Sequence, residues 1–184
     1  MIIGLAGYAQ SGKDTVANIL IEHYGYTRVA FADKVRDLLF EMDPGIGVKG
    51  PDGQWHTVGL QNIVEVSGWD EAKQHKDVRA LLQNLGVGAR KVFGENFWVK
   101  QALREFSPEE KIVITDVRFP NEAEMVKRLN GQMWRVIRPG VTAVNSHISE
   151  NALDDYEFDF DIYNDSTITA LNMDIEILME DLSV

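Results

Sequence analysis

The sequence predicts an α/β fold with a mostly parallel five-stranded sheet and helices on both faces. Three observations predict it. Short apolar runs that read as buried strands alternate with stretches of helical period along the chain, the pattern of strand–helix–strand units. A Gly-rich turn ending in Gly12-Lys13 joins the first such strand to the first helix. The length, 184 residues with 45% hydrophobic and 26% charged residues, suits a single domain spanning 1–184 with a substantial core.

Each element follows from local signals. Ile2–Ala6 reads as a short buried strand, followed by a helix from about Gly12 to Tyr24 that Gly25 closes. Arg28–Phe31 is the second strand. Asp33 then caps a helix through Phe40 with Val35, Leu38 and Leu39 on its buried side. Pro44–Gly59 holds five of the fifteen glycines and the turn Pro51-Asp52-Gly53, and reads as an excursion in the form of a small hairpin. Helices follow at Leu60–Val66, Glu71–His75, Val78–Phe93 and Asn96–Phe106. Lys111–Thr115 is a buried strand. Asn121 and Glu124 form a capping-box pattern for a helix ending at Gly131, and Gln132–Ile137 is the next strand. After the polar stretch Arg138–Tyr156 comes a last strand near Asp161–Tyr163. The final helix carries Ile168, Leu171, Ile175, Leu178 and Leu182 at helical spacing.

Composition excludes several classes of function. The formal net charge of −11 leaves no excess of Lys and Arg for long nucleic acid, although a small anion can still be bound by a few local cations. Without cysteine there are no disulfides or thiolate metal sites, which fits the cytoplasm. The apolar start is too short for a signal peptide, and no apolar run approaches a membrane span.

The chemistry-bearing motifs fall at the strand ends, where ligands sit in such folds. Gly7-Tyr8-Ala9-Gln10-Ser11-Gly12-Lys13-Asp14-Thr15 has the pattern of a phosphate-binding P-loop between a strand and a helix. Its glycines admit close backbone approach, the loop N–H groups and the helix N-terminus supply positive potential, and Lys13 adds a mobile charge. The residue after the lysine is Asp14 in place of the usual Ser or Thr, with Thr15 next. A carboxylate there is also a hard oxygen ligand suited to Mg²⁺. Asp116 ends a buried strand, Arg118 lies two residues on and Glu122 opens the next helix. This set reads either as a metal and charge-neutralising site or as an ion pair that fastens a loop.

On the helix from Val78, a 100° turn per residue puts Val78, Leu81, Leu82, Leu85, Ala89 and Val92 on one face. Arg79, Gln83, Gly86 and Arg90 fall on another. An amide there can read a base edge and a guanidinium can bind a phosphate, or the face is simply solvated. Arg138, just past a strand end, is a phosphate-contact candidate, within a stretch placed where a lid would be (His147, Ser149 and Glu150 belong to it). Asn164 and Asp165 form a turn that lines an adenine pocket or is an ordinary turn.

Taken together, the sequence resembles the bacteriophage-type deoxynucleoside monophosphate kinases. The matching segments run in order over nearly the whole chain: Ser11–Thr15 (SGKDT), Phe31–Leu39 (FADKVRDLL), Val78–Gly86 (VRALLQNLG), Phe97–Lys100 (FWVK), Thr115–Glu122 (TDVRFPNE), Arg138–Gly140 (RPG), Ser146–Glu150 (SHISE) and Ile162–Thr167 (IYNDST). The Asp after the P-loop lysine is a mark of this group that phosphomevalonate kinases share. Val87 stands where the family often has Thr.

The resemblance implies a three-layer P-loop kinase fold with an acceptor-binding helical part at about 33–106 and a lid at about 138–156. It implies transfer of a phosphoryl group from ATP, with Mg²⁺, to a nucleoside monophosphate. Gly7, Gln10, Ser11, Gly12, Lys13, Asp14, Thr15 and Asn164 would bind ATP, with Asp14, Thr15 and Asp116 at the metal. Lys13, Asp14, Asp116, Arg118 and Arg138 would carry the transfer. Val35, Arg36, Arg79, Gln83, Gly86, Trp98, Arg118 and Glu122 would form the acceptor site. Small nucleotides are the expected partners, a homodimer is allowed, and the expected location is the cytoplasm, that of the host if the chain is phage-encoded. A kinase of another small phosphorylated acceptor and a non-catalytic nucleotide-binding module are the competing readings.

Overall fold

The structure is a computed structural model and describes residues 1–107, 109–142 and 151–182. In chain order these residues form β1 (Ile2–Ala6), α1 (Lys13–Tyr24), β2 (Thr27–Val29), α2 (Phe31–Met42), β3 (Gly45–Lys49), β4 (Trp55–Gly59), α3 (Leu60–Ala72) and α4 (Lys76–Phe93). They continue with α5 (Phe97–Leu103), β5 (Ile112–Ile114), α6 (Pro120–Arg128), β6 (Gln132–Ile137), β7 (Phe160–Tyr163) and α7 (Ile168–Asp181). The chain divides into two compact units, one of Met1–Phe31 with the residues from Leu103 onward, the other of Ala32–Ala102.

The first unit is built on five parallel strands in the order β2-β5-β1-β6-β7. Every residue of β1 is buried, as a central parallel strand requires, and its continuous apolar run follows from that. Strand order reverses at β1, between β5 on one side and β6 on the other, so a crevice opens beyond its carboxyl end. Ile3, Leu5, Val16, Leu20, Val113, Trp134, Val136, Leu171 and Ile175 form the core, with the Trp134 ring meeting Phe160 edge-on at 6.1 Å. The Thr167 hydroxyl caps α7 by accepting the Ala170 N–H at 3.2 Å. The alternation of strand and helix thus produces the expected parallel five-stranded α/β sheet.

The second unit holds the expected hairpin. β3 and β4 pair antiparallel, Ile46 opposite Val58. Its core is Leu39, Ile46, Leu60 and Val78, with Leu81, Leu82 and Leu85 packed against them.

Several boundaries differ from expectation, each with a local cause. α2 begins at Phe31 and not at an Asp33 cap. The Phe31 N–H is taken by Asp116 Oδ1 at 2.8 Å, while Asp33 lies in the first turn and pairs with Arg36. α6 begins at Pro120, whose missing N–H suits a first helical position, and Glu122 caps it in place of the Asn121–Glu124 box. It ends at Arg128, and the Gly131 N–H closes the turn on the Val126 carbonyl. The helices expected on either side of residue 68 run together as α3, broken at Gly68 (φ 77°, ψ 168°). α5 is shorter than Asn96–Phe106. Val92 is 74% exposed, because the last turn of α4 runs beyond the leucine core.

Candidate active site

The turn after β1 is shaped by its backbone. Gly7 (φ 134°), Gln10 (φ 66°) and Gly12 (φ 105°) have left-handed or otherwise positive φ, interleaved with ordinary residues. Such alternation turns successive N–H groups into one concavity, an anion nest, here opening onto the N-terminus of α1. Close approach adds to this: a Cβ at Gly7 would collide with the Val136 carbonyl oxygen, and one at Gly12 would displace the Asn164 amide. Lys13 Nζ donates to the carbonyls of Gly7 and Tyr8, each at 2.8 Å, so the ammonium lies over the loop. Ser11 is 2% exposed, and its Oγ has no hydrogen-bond partner among the described residues. That buried unmatched hydroxyl suits a loop shaped to receive a further polar group.

Beside the loop lies a cavity of about 450 Å³, lined by residues that include Gly7, Lys13, Arg118, Arg135, Asp154 and Phe158. Two of the expected cations, Lys13 and Arg118, therefore share one cavity with the loop. Tyr8, Arg135, Asp154 and Phe158 are additions that sequence reasoning missed. The Tyr8 hydroxyl donates to Asp154 Oδ1 at 3.0 Å. Arg135 makes two bonds to Asp161, at 2.7 and 2.6 Å, and its guanidinium lies 5.0 Å from the Phe158 ring centroid. The hydrogen bonds that it donates to the Asp161 carboxylate hold that guanidinium protonated beyond its ordinary range. Tyr8 occupies a variable position of the loop motif, and Arg135 sits inside a strand. No local signal marks Arg135 until the pairing of β6 with β7 sets it opposite Asp161.

The carboxylates of the site have distinct settings. Asp14 is exposed in the first turn of α1 and Thr15 next to it is half-buried. Asp116, past the end of β5, accepts the Phe31 N–H. Glu122 is buried, and its Oε2 accepts the N–H of Arg118 at 2.8 Å and of Phe119 at 3.1 Å, which fixes the backbone that carries Arg118. Among the described residues no group of three or more His, Cys, Asp or Glu could form a metal cage. Asp14, Thr15 and Asp116 carry the hard oxygen donors that Mg²⁺ takes, an ion that draws most of its shell from phosphate oxygens and water. Arg138 is exposed beyond β6. Asn164 does not simply face outward: its Nδ2 donates to the Ser11 carbonyl at 2.9 Å. Of the expected lid, residues 143–150, with His147, Ser149 and Glu150, lie outside the described residues.

In the second unit, Arg79 and Gln83 are exposed on α4, and Gly86 is half-buried with nothing within 4 Å of where a Cβ would stand. These three share a face turned away from the leucine core, as the helical period predicts. Trp98 is buried, and its indole N–H donates to the Gly86 carbonyl at 2.9 Å. Val35 and Arg36 are half-buried on α2, and Arg36 pairs with Asp33 at 2.8 Å.

A parallel sheet reversing at β1, a left-handed loop at that point and a lysine folded over it define a P-loop protein, built to bind a phosphate chain. The sequence model of the family described as deoxynucleotide monophosphate kinase matches residues 51–175. A protein of Acanthamoeba polyphaga mimivirus, provisionally named a deoxynucleotide monophosphate kinase, is 30% identical over 181 residues, covering 91% of this chain and 90% of the relative. The deoxynucleotide monophosphate kinase of Escherichia phage RB69 is 29% identical over 108 residues, 55% of this chain and 44% of that relative. Among solved structures, shikimate kinase from Aquifex aeolicus vf5 superposes with a TM-score of 0.49 at 12% identity, covering 100% of this chain and 99% of that one. The chain belongs to the deoxynucleotide monophosphate kinase family, and its class of activity is nucleotide phosphorylation. This disfavours an isoprenoid phosphate acceptor. Among the described residues no helix is long and apolar enough to cross a membrane.

Proposed function

We propose that this protein transfers the γ-phosphoryl group of ATP to the phosphate of a deoxynucleoside monophosphate, giving the diphosphate and ADP. The observation that carries the proposal is the phosphate loop, with its positive-φ cradle and Lys13 lying over it. The bond between the γ-phosphorus and the β,γ-bridging oxygen breaks, and a bond from an acceptor phosphate oxygen to that phosphorus forms. The second pKa of a phosphomonoester is about 6, so the attacking oxygen is already deprotonated at neutral pH and no general base is needed. The protein must align two anions and neutralise their repulsion.

In this reading Gly7, Gln10, Ser11 and Gly12 cradle the ATP phosphates, and Lys13 leaves the loop carbonyls for the transferring group. Arg118 and Arg138 neutralise charge on it. Asp14, Thr15 and Asp116 hold Mg²⁺, directly or through water, and the ion supplies further neutralisation of the phosphates when bound. On the second unit, about 33–106, Arg36 and Arg79 take the acceptor phosphate, Gln83 faces its base, and Val35, Gly86 and Trp98 shape the surface. Glu122 serves by holding the backbone of Arg118. Residues of about 138–156 act as the lid, and the cytoplasm is the working compartment.

The test is ADP release at saturating ATP, measured across the common ribo- and deoxynucleoside monophosphates with phosphomevalonate as a control. Stimulation by one or more deoxynucleotides is expected. Stimulation by phosphomevalonate alone, or ADP release independent of any acceptor, would overturn the proposal.

A further inference from the structure

The Asn164 side chain ends on the phosphate loop, and that placement assigns it a task beyond lining a base pocket. Its backbone N–H is anchored on the Ile137 carbonyl at 2.7 Å, past the ends of β6 and β7. Its Nδ2 donates to the Ser11 carbonyl at 2.9 Å and stands where a side chain at Gly12 would have to be. The peptide bond between Ser11 and Gly12 is planar, with its C=O and N–H pointing in opposite directions. A donor that holds the Ser11 oxygen on one side therefore directs the Gly12 N–H to the other. With Gly12 at φ 105°, the next residues enter α1 from that fixed plane.

We infer that Asn164 is a positioning residue for the phosphate loop, setting the Ser11–Gly12 peptide so that its N–H is ready for a phosphate oxygen before ATP arrives. The inference rests on the reading of this loop as the ATP-phosphate site. A peptide free to rotate would have to be ordered during binding, and the bond to Asn164 removes that cost in advance. Residues in the segment after β7 thus act on donor binding through the loop and not through the adenine. This also accounts for Gly12 beyond its positive φ, since any side chain there would displace the amide.

The test compares ATP with inorganic tripolyphosphate, which has the phosphates and no base. Dissociation constants for both are measured on the wild type, Asn164→Ala and Asn164→Leu, the last retaining side-chain volume without a donor. Loss of the bond should weaken both ligands by the same factor of about ten, with the acceptor KM unchanged. Weaker ATP binding with tripolyphosphate unaffected would mean that Asn164 contacts the base, and unchanged binding of both would mean that it has no role in the donor site. Either result overturns the inference. If the wild type binds ATP but not tripolyphosphate, or binds neither, the reading of the loop as a phosphate site falls and the inference falls with it. Should both variants fail to fold, side-chain amide NMR of the wild type decides. Exchange of the Asn164 Nδ2 protons slowed well below that of free amides supports the bond, and exchange at the free rate overturns it.

Discussion

The phosphate loop of the first unit and the α4 face of the second differ in what fixes them. The loop is held by backbone conformation and by neighbours on several sides: Lys13 on two carbonyls, Asn164 on the Ser11 carbonyl, and glycines where any Cβ would collide. The α4 face has exposed side chains at Arg79 and Gln83 and open space above Gly86, while only its opposite face is held by the leucine core. A site made of backbone is preorganised and intolerant of change. A site made of side chains on a packed helix can alter its selectivity without touching the fold. The proposed division of labour follows that contrast. In that proposal the donor's triphosphate would meet the rigid site and the acceptor's base the adaptable one.

The strongest challenge to this contrast is Lys13→Ala. The ammonium's two bonds to loop carbonyls tie down the loop and not the hydrophobic core, so removing it should lower the thermal unfolding temperature only modestly while lowering kcat by about a thousandfold. A kcat near wild type would mean that the loop is not where transfer occurs. Asp14→Asn sharpens the same side of the comparison. It should raise the Mg²⁺ concentration needed for half-maximal activity and reduce kcat by about ten- to a hundredfold, more than it raises the KM for ATP. An unchanged Mg²⁺ titration would assign Asp14 to the structure of the α1 N-terminus instead.

On the α4 side the effects are smaller and should separate. If Arg79 pairs with the acceptor phosphate as proposed, Arg79→Ala should lose about 1.5–3 kcal/mol, a factor of roughly 10 to 150 in kcat/KM, similar for every accepted nucleotide. If Gln83 faces the base as proposed, Gln83→Ala should lose a neutral contact worth about 0.5–1.5 kcal/mol, roughly 2- to 12-fold, falling unequally on different bases. Steady-state kinetics with several deoxynucleoside monophosphates at saturating ATP distinguishes the two. If both variants raise the KM for ATP and leave that of the acceptor alone, the contrast is drawn the wrong way round.

What was legible in the sequence follows the same line. The P-loop could be read because its glycines and lysine are set by local backbone geometry, and the α4 faces because a helical period is a local property. The hairpin at β3–β4 showed through its glycines and its Pro51-Asp52-Gly53 turn. The starts of α2 and α6 were misread because long-range and turn contacts replace the expected caps: Asp116 reaches back 85 residues to Phe31, and Glu122 folds onto Phe119. Nothing local to Asn164 announces its bond to Ser11, 153 residues away in sequence. Nor does the neighbourhood of Tyr8 reveal Asp154. Contacts between distant segments need the sheet order before they can be seen, and those contacts complete the loop.

The central claim, that the loop and the α4 face serve a single transfer between two nucleotides, is tested most directly by following the γ-phosphate itself. Wild-type protein is incubated with ATP labelled at the γ-phosphorus, Mg²⁺ and a deoxynucleoside monophosphate, and the labelled products are separated. The account predicts label at the β-position of the deoxynucleoside diphosphate, with little inorganic phosphate and almost no transfer by Lys13→Ala. Label appearing only as inorganic phosphate, whichever deoxynucleotide is supplied, would contradict it.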